Sequence, residues 1–248
     1  MFTHLLKRLP LSYEGELHEV RLVNFSVDPA ELGDLLPRDI QPLLHEGRAL
    51  ISMVHVHLRN MRVRGPLGFF RFQYRHVGFR LLIDDSRYTW LPPRGIFFLR
   101  SFSDSGLWAR LGRLFSIYRL EPAHIEASAD HFSLRKGGKT LRYTLLPRGP
   151  QVRQRALEEA VARIDRAYAP LGEDMRYVQI QRERWPLQAV DCPFFETDFF
   201  ATARLEGAFA VPEVIHYRWD PTRSVYDKRG FGKERSKEEQ EALPWAGV

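Results

Sequence analysis

Two side chains that could do chemistry lie close together in an apolar segment of the chain. Residues 69–83 alternate like a long strand, and a period of two places His76 and Arg80 on one face with Phe72 and Leu82. A guanidinium among apolar side chains costs several kcal/mol unless it is paired or meets an anion. We therefore predict that Arg80 binds a carboxylate or a similar anion. His76 would orient the ligand or act as a general acid or base.

A second segment, residues 94–119, supplies three further candidates. It opens as an aromatic strand that contains Arg100, and we place Arg100 on the same face as Phe98, again a charge on an apolar wall. A short helix follows, and Tyr118 and Arg119 come directly after it. We predict that Arg100 and Arg119 contribute to anion binding. Tyr118 would add an orienting hydrogen bond or serve as an acid or base.

Two of these assignments have competing explanations. Arg80 and Arg100 could instead pair with carboxylates such as Glu126 or Asp130, which would make them structural. Metal binding is a separate alternative, because His55-x-His57 places two imidazoles on one strand face, about 7 Å apart. A third ligand would have to come from another strand, and the candidates are His76, His124, Glu126 and His131. Since no spacing constrains that third ligand, we predict no metal site and no cofactor.

The sequence lacks the motifs of several large enzyme classes. It contains no P-loop, dinucleotide-binding fingerprint, C-x-x-C pair, H-E-x-x-H motif or G-x-S-x-G motif. The single cysteine, Cys192, stands beside Pro193 and two phenylalanines, which favours packing over a nucleophilic role and excludes an internal disulfide. We predict no signal peptide, and no apolar run is long enough to span a membrane. We expect a cytoplasmic protein that does not associate with membranes.

The basic residues are almost all arginines. The chain has 37 basic and 31 acidic residues and a net charge of +6, and only six of the basic residues are lysines. Arginine is a permanently charged planar fork, so this charge suits anion binding better than amine chemistry. A codon bias toward arginine is the alternative explanation. The arginines are spread along the chain rather than clustered with aromatics, so we predict no nucleic-acid partner. A homo-oligomer is left open.

The remaining pattern predicts a mainly β protein with a few peripheral helices. A hairpin turns at Gly137-Gly138, and an amphipathic helix is expected at 152–168, with a shorter helix after Asp28. We predict one closed, mostly antiparallel β-barrel domain over residues 1–226 and a charged, mobile tail over 227–248. Strands are expected at 12–27, 49–59, 69–83, 88–91, 96–102, 123–128, 131–136, 139–145, 176–182, 198–205 and 213–219.

Short motifs in a characteristic order carry a family resemblance. They are L-L-P at 35–37, G-x-A-L-I-S at 47–52, M-R-V-R-G-P at 61–66, Y-R-H-V-G-F-R at 74–80, R-G-I-F-F at 94–98, F-S-I-Y at 115–118, R-W-P-L at 184–187 and H-Y at 216–217. Each is weak alone, but together they cover residues 15–220. In this order they resemble the uncharacterised YqjF-like proteins of the acetoacetate-decarboxylase-like superfamily. The resemblance implies a cone-shaped closed β-barrel that encloses a small-molecule cavity.

The resemblance does not extend to the decarboxylase chemistry. Acetoacetate decarboxylase forms a Schiff base through a lysine whose pKa an adjacent lysine lowers. The corresponding segment here is near residues 116–119, and no lysine occurs from residue 8 to residue 135. Lys136 and Lys139 flank the predicted hairpin turn. His76 lies near the position where relatives tend to carry a glutamate. The resemblance therefore implies the architecture without the Schiff base.

The leading hypothesis is a barrel that binds a small anionic or carbonyl metabolite. Two alternatives remain: an interaction or regulatory scaffold whose basic surface and tail do the work, or an enzyme that uses His76 and Tyr118 for enolisation or hydrolysis of a carbonyl compound. A closed interior reached by Arg and His favours ligand binding, and an interior packed solid favours the scaffold.

Overall fold

The computed structural model describes residues 11–64, 69–89, 91–115, 119–147, 155–182 and 185–226. Within these ranges the chain forms fifteen strands, two α-helices and one 3-10 helix, Pro29–Leu35. The helices are α1 (Gly106–Phe115) and α2 (Arg155–Ala162). The strands are β1 (Tyr13–Val27), β2 (Leu44–His45), β3 (Arg48–Val63), β4 (Phe72–Ile83), β5 (Gly95–Ser103), β6 (Leu120–Pro122), β7 (His124–Ala127), β8 (His131–Lys136), β9 (Lys139–Pro147), β10 (Arg166–Leu171), β11 (Asp174–Arg182), β12 (Gln188–Thr197), β13 (Arg204–Val211), β14 (Ile215–Trp219) and β15 (Arg223–Ser224).

Seven of the strands close into a barrel in the order β1, β3, β4, β5, β10, β11 and β14. The barrel closes because β14 pairs with the first residues of β1, Tyr13 to Leu17, while β3 pairs along the other edge of β1. All neighbours in this ring run antiparallel except β5 and β10, which are parallel. No helix within the described ranges is long and apolar enough to cross a membrane.

A second sheet branches from the far half of β1. Residues Val20 to Ser26 of β1 pair with β13, and the sheet continues through β12, β9 and β8 to β7. The fifteen-residue length of β1 lets one strand belong to both layers. The second sheet covers one side of the barrel, and Phe132 and Leu141 of its hairpin pack into the core between the two layers.

Two apolar cores lie on opposite faces of the barrel wall. On β14, Ile215 and Tyr217 are buried while His216 between them is exposed, so the buried face of this strand is the interior. The interior core continues through Leu22, Val54, Leu82, Ile96, Ala167 and Trp185. The outer core contains Val23, Ile51, Met53, Phe79 and the buried residues of β8 and β9.

Several predictions of local structure are confirmed. Asp28 caps the 3-10 helix, since its carboxylate accepts a hydrogen bond from the Ala30 N–H at 2.9 Å. The hairpin turns at Gly137 and Gly138, both with positive φ, as its two-residue loop requires. Strand β4 alternates as expected, and both of its faces are buried.

Other predictions of local structure are wrong. The helix expected at 152–168 ends at Ala162 within the described residues, and 166–171 forms strand β10 instead. The apolar residues of 166–171 also fit the alternation of a strand. Pro170 lies beyond the three residues of β10 that pair with β5, so the pairing with β5 requires no N–H from it. Of the strand expected at 198–205, residues 198–203 form the turn between β12 and β13, and only Arg204 and Leu205 belong to a strand, β13. The described residues of the expected strand 88–91, which are 88, 89 and 91, lie outside any strand, and Tyr88 lies in a turn. The predicted tail, 227–248, falls outside the described residues.

Candidate ligand-binding site inside the barrel

Strand β4 carries His76 and Arg80 into the barrel. Tyr74 and Leu82, on the same face, belong to the interior core, whereas Val77 and Phe79 belong to the outer core. Residues at even positions therefore point inward, because successive side chains of a strand alternate between faces. His76 and Arg80 are each only 6% exposed. The sequence-based assignment of both residues to one buried face is correct.

Arg80 is held in a defined orientation. Its Nε donates to the Ser52 carbonyl oxygen at 3.1 Å, and its Nη2 donates to Ser52 Oγ at 2.9 Å. The guanidinium also lies over the Trp185 ring, with Cζ 5.5 Å from the ring centroid. A desolvated cation gains about 2 kcal/mol or more from such a contact. The wall of the barrel thus fixes a planar cation on its inner face.

His76 is a neutral imidazole at physiological pH. Its pKa is lowered to about 3, mainly by burial and in part by the neighbouring Arg80 charge. Two aromatic rings flank the imidazole, Tyr74 and Phe98, each with its centroid 6.3 Å away. The site therefore places an uncharged donor and acceptor beside a fixed positive charge.

Two serines that the sequence did not reveal face the same interior. In the pairing of β4 with β5, Ser103 lies opposite His76, and Ser101 lies opposite Gly78. Both serines are buried, and Ser101 Oγ has no hydrogen-bond partner among the described residues. Ser103 Oγ accepts from the Ser105 N–H at 3.0 Å. Hydroxyl groups thus line the wall next to the imidazole.

Asn24 extends the polar lining onto a third strand. In register, Asn24 of β1 lies opposite Ser52 of β3, and Ser52 lies opposite Arg80 of β4. Asn24 is fully buried and donates through Nδ2 to the Gly207 carbonyl oxygen at 3.2 Å, while its Oδ1 lacks a partner among the described residues. A short polar residue at an inward position of an apolar strand was the available signal for both Asn24 and Ser52.

Arg100 does not face the barrel interior, contrary to the prediction. A bulge in β5 shifts the register, so that Phe98 lies opposite Arg80 but Arg100 lies opposite Phe79. Phe79 belongs to the outer core, so half-buried Arg100 points away from the interior. A bulge adds one residue to one strand and reverses the alternation beyond it. The same shift brings Ser101 and Ser103 inward.

Arg119 does not lie inside the barrel, contrary to the prediction. The Arg119 side chain is 75% exposed and forms an ion pair with Glu121 at 3.3 Å, so it lies on the surface rather than inside the barrel. Tyr118 lies outside the described residues. Glu126, the suggested carboxylate partner of the buried arginines, instead pairs with His124 and Arg135.

The described lysines and the cysteine lie outside the candidate site. Lys136 and Lys139 flank the hairpin turn, and Lys136 Nζ donates to the Pro122 carbonyl oxygen at 2.8 Å. Cys192 lies on β12, and burial raises the pKa of its thiol to about 11, which disfavours the thiolate.

The paired histidines do not converge with further metal ligands. His55 faces the outer core, and His57 Nδ1 accepts from Arg59 Nε at 3.2 Å. Within the described part of the chain, no group of three or more His, Cys, Asp or Glu side chains could hold a metal ion.

Two pockets lined by described residues lie on the outer surface. One, of about 480 Å³, crosses β1 and β14 and is lined by charged residues that include Glu14, Arg62 and Arg218. The other, of about 380 Å³, lies on the second sheet over Phe132 and Tyr143. Neither is lined by His76 or Arg80.

The fold is that of the acetoacetate-decarboxylase-like proteins. An acetoacetate decarboxylase from Legionella pneumophila is similar over 89% of each chain, with a TM-score of 0.57 and 13% identity. The enduracididine biosynthesis enzyme MppR with bound HEPES is similar over 90% of this chain and 91% of its own, with a TM-score of 0.55 and 17% identity. MppR complexed with the condensation product of pyruvate and imidazole 4-carboxaldehyde gives a TM-score of 0.50 at 16% identity, over 90% and 92% of the chains.

Within that fold, the chain belongs to the family DUF2071, described as uncharacterized conserved proteins. The family model matches residues 14–220, which include every strand of the barrel. No curated protein gives a significant match. The resemblance found in the sequence motifs is thereby confirmed, as are the mainly β class and the closed barrel.

Proposed function

We propose that this protein binds a small anionic or carbonyl metabolite inside the barrel without forming a covalent bond to it. The observation that carries the proposal is the position of Arg80. Its guanidinium is 6% exposed, faces the barrel interior, and is oriented by Ser52 and Trp185. In a barrel that served only as a scaffold, an aliphatic residue would pack at this position without the desolvation cost of a buried cation.

Arg80 suits a carboxylate or another planar oxyanion. Ser52 is neutral, and its two hydrogen bonds orient the guanidinium. Guanidinium groups bind carboxylates through parallel N–H···O bonds, and a charge-assisted bond of this kind contributes about 1.5–3 kcal/mol. The stacked Trp185 ring adds an apolar surface against which a small ligand can pack.

His76 suits a carbonyl oxygen or a hydroxyl group of the same ligand. With a pKa of about 3, the imidazole is neutral at pH 7 and can donate one hydrogen bond and accept another. A general acid or base works best with a pKa near the working pH. The low pKa of His76 therefore supports binding over acid–base turnover.

The solved structures of similar fold support a small oxo acid as the ligand class. MppR was solved with a condensation product of pyruvate, and its fold matches this barrel over most of both chains. A Schiff base is not part of the proposal. No lysine occurs from residue 8 to residue 135, and the two described lysines lie on the outer hairpin.

The experiment is a thermal-shift screen of 2-oxo acids, hydroxy acids and small aldehydes against the full chain. We expect at least one oxo or hydroxy acid to raise the melting temperature of the wild type. The shift should be lost in Arg80→Gln and kept in Arg100→Gln, which removes a half-buried guanidinium from the opposite face of the wall.

A second arm tests the absence of covalent attachment. Borohydride reduces a Schiff base to a stable adduct, so treatment with borohydride and the bound acid should leave the protein mass unchanged. A ligand shift retained in Arg80→Gln, or a borohydride-dependent mass increase, would contradict the proposed mode of binding.

A further inference from the structure

A second group of buried polar side chains lies outside the barrel, in the seam between the barrel wall and the second sheet. Arg21 of β1 and His55 of β3 lie directly opposite each other in register. The Phe132 ring of β8 lies between His55 and Tyr143 of β9, with its centroid 4.7 Å from each. We call these four residues the seam cluster.

Polar atoms of the seam cluster are buried without hydrogen-bond partners among the described residues. They are both ring nitrogens of His55, together with the Tyr143 hydroxyl and Arg21 Nη1, which have no described partner outside the cluster. His55 and Tyr143 are each 1% exposed. Buried polar groups in native proteins are almost always hydrogen-bonded, and apolar residues would fill the same space without this cost. Polar groups on three strands that converge in this way indicate a polar ligand.

The electrostatic environment of the seam cluster favours an anion. Arg21 and Arg75 both lower the pKa of His55, after burial as the main cause, and Glu19 opposes them. His57 adds to the lowering. Burial raises the pKa of the Tyr143 hydroxyl, and the Arg21 charge opposes that rise. Because His55 is neutral, Arg21 carries the formal charge of the seam cluster.

The arrangement is anchored and lies beside a pocket. Arg21 Nη2 donates to the Ala129 carbonyl oxygen, in the turn between β7 and β8, so the guanidinium bridges the two layers. The 380 Å³ pocket on the second sheet is lined by Phe132 and Tyr143 and by Ser128 of the same turn. The pocket lies on the outer face of the second sheet, and the seam cluster lies behind it.

We propose that the seam cluster binds a small carboxylate, independently of the barrel site. Arg21 Nη1 and the Tyr143 hydroxyl would each donate to a carboxylate oxygen, and the N–H of neutral His55 would supply a third hydrogen bond. A carboxylate fits this donor set because its two oxygens accept several bonds in one plane. The Phe132 ring provides the apolar contact.

Thermal shift and calorimetry with sodium acetate, compared with sodium chloride at equal ionic strength, test this site on the full chain. The Arg80→Gln background removes the anchor of the barrel site, so binding there cannot be confused with binding in the seam. We expect acetate to raise the melting temperature by about 2 °C or more over chloride in this background. Tyr143→Phe should weaken acetate binding about 10-fold, as expected for loss of a hydrogen bond to a charged group.

Tyr88→Phe is the matched control, because Tyr88 donates to the Asp39 carbonyl oxygen away from the seam, and it should keep the full acetate effect. Arg21→Gln is the second variant and should abolish the effect. Equal melting temperatures in acetate and chloride would show a site that holds only water and would overturn the proposal. An acetate effect that survives both Tyr143→Phe and Arg21→Gln would overturn it as well.

Discussion

Ser52 and Arg80 lie directly opposite each other on neighbouring strands, and the serine accepts two hydrogen bonds from the guanidinium, one through its backbone carbonyl and one through its hydroxyl. Register alone brings the two residues together, and the resulting contact determines the direction in which a buried charge points. The proposed anion site depends on this pair.

Ser52→Ala should loosen Arg80 without removing its charge. The loss of one buried hydrogen bond to a cation should lower the free energy of unfolding by about 1.5–3 kcal/mol and weaken the binding of an oxo acid about 10-fold. Urea denaturation and calorimetry measure the two effects. Ser133→Ala, on the partly exposed face of β8, should change neither, and an unchanged ligand affinity in Ser52→Ala would argue against the orienting role.

Ser101→Ala should separate stability from binding. Because Ser101 Oγ is buried without a partner among the described residues, its removal should leave the free energy of unfolding unchanged or raise it by up to about 1 kcal/mol. Ligand affinity should fall several-fold if the hydroxyl contacts the ligand. A clear loss of stability without ligand would instead identify Ser101 as a structural residue.

His76 should make stability depend on pH below neutrality. Its pKa is about 3 in the folded protein, well below the usual 6.5, so the unfolded chain binds more protons between these values. Stability attributable to His76 is therefore complete above pH 6.5 and is lost as the pH falls, by about 1.4 kcal/mol per pH unit.

The pH dependence of urea denaturation between pH 7.5 and 4.5 measures this contribution. His76→Gln should show a shallower loss than the wild type, although buried His55, whose pKa is also about 3, keeps part of the slope in both. His124→Gln replaces a histidine whose side chain is 59% exposed and should follow the wild type. Identical slopes in all three proteins would contradict a buried, neutral His76.

Asp85→Asn should destabilise the fold away from the candidate site. Asp85 and Arg166 are almost fully buried, with Arg166 Nε 3.3 Å from Asp85 Oδ2, and the Tyr168 hydroxyl donates to the same carboxylate oxygen at 3.0 Å. Removing the Asp85 charge leaves Arg166 with the partly exposed Asp165 carboxylate, 3.0 Å from its Nε, as counter-charge and should cost about 3 kcal/mol, the low end of the range for breaking a buried pair. Asp39→Asn breaks the exposed Arg87 ion pair and should cost less than about 1 kcal/mol by the same urea measurement.

The sequence predicted the barrel and placed two polar residues on the face that points into it. Alternation along β4 was enough to place His76 and Arg80 on one buried face, because the strand is regular over that stretch. Alternation failed on β5, where a bulge turns Arg100 outward and Ser101 and Ser103 inward. A bulge depends on the pairing with the next strand, which periodicity within one segment cannot reveal.

Asn24 and the seam cluster show a related limit. Each depends on cross-strand register between residues far apart in sequence, such as Asn24 with Ser52 or Arg21 with His55. The alternation of β1 is interrupted by a register shift between His18 and Arg21, so counting from the start of the strand assigns the later residues to the wrong face. The motif order identified the family despite these local errors.

Titration calorimetry with the oxo or hydroxy acid found in the screen measures how much Arg80 contributes to holding an anionic ligand inside the barrel. The affinity of Arg80→Gln should be at least about 10-fold lower than that of the wild type, as expected for loss of a charge-assisted hydrogen bond, while Arg100→Gln should bind like the wild type. Equal affinities of Arg80→Gln and the wild type, with both proteins folded, would contradict the account.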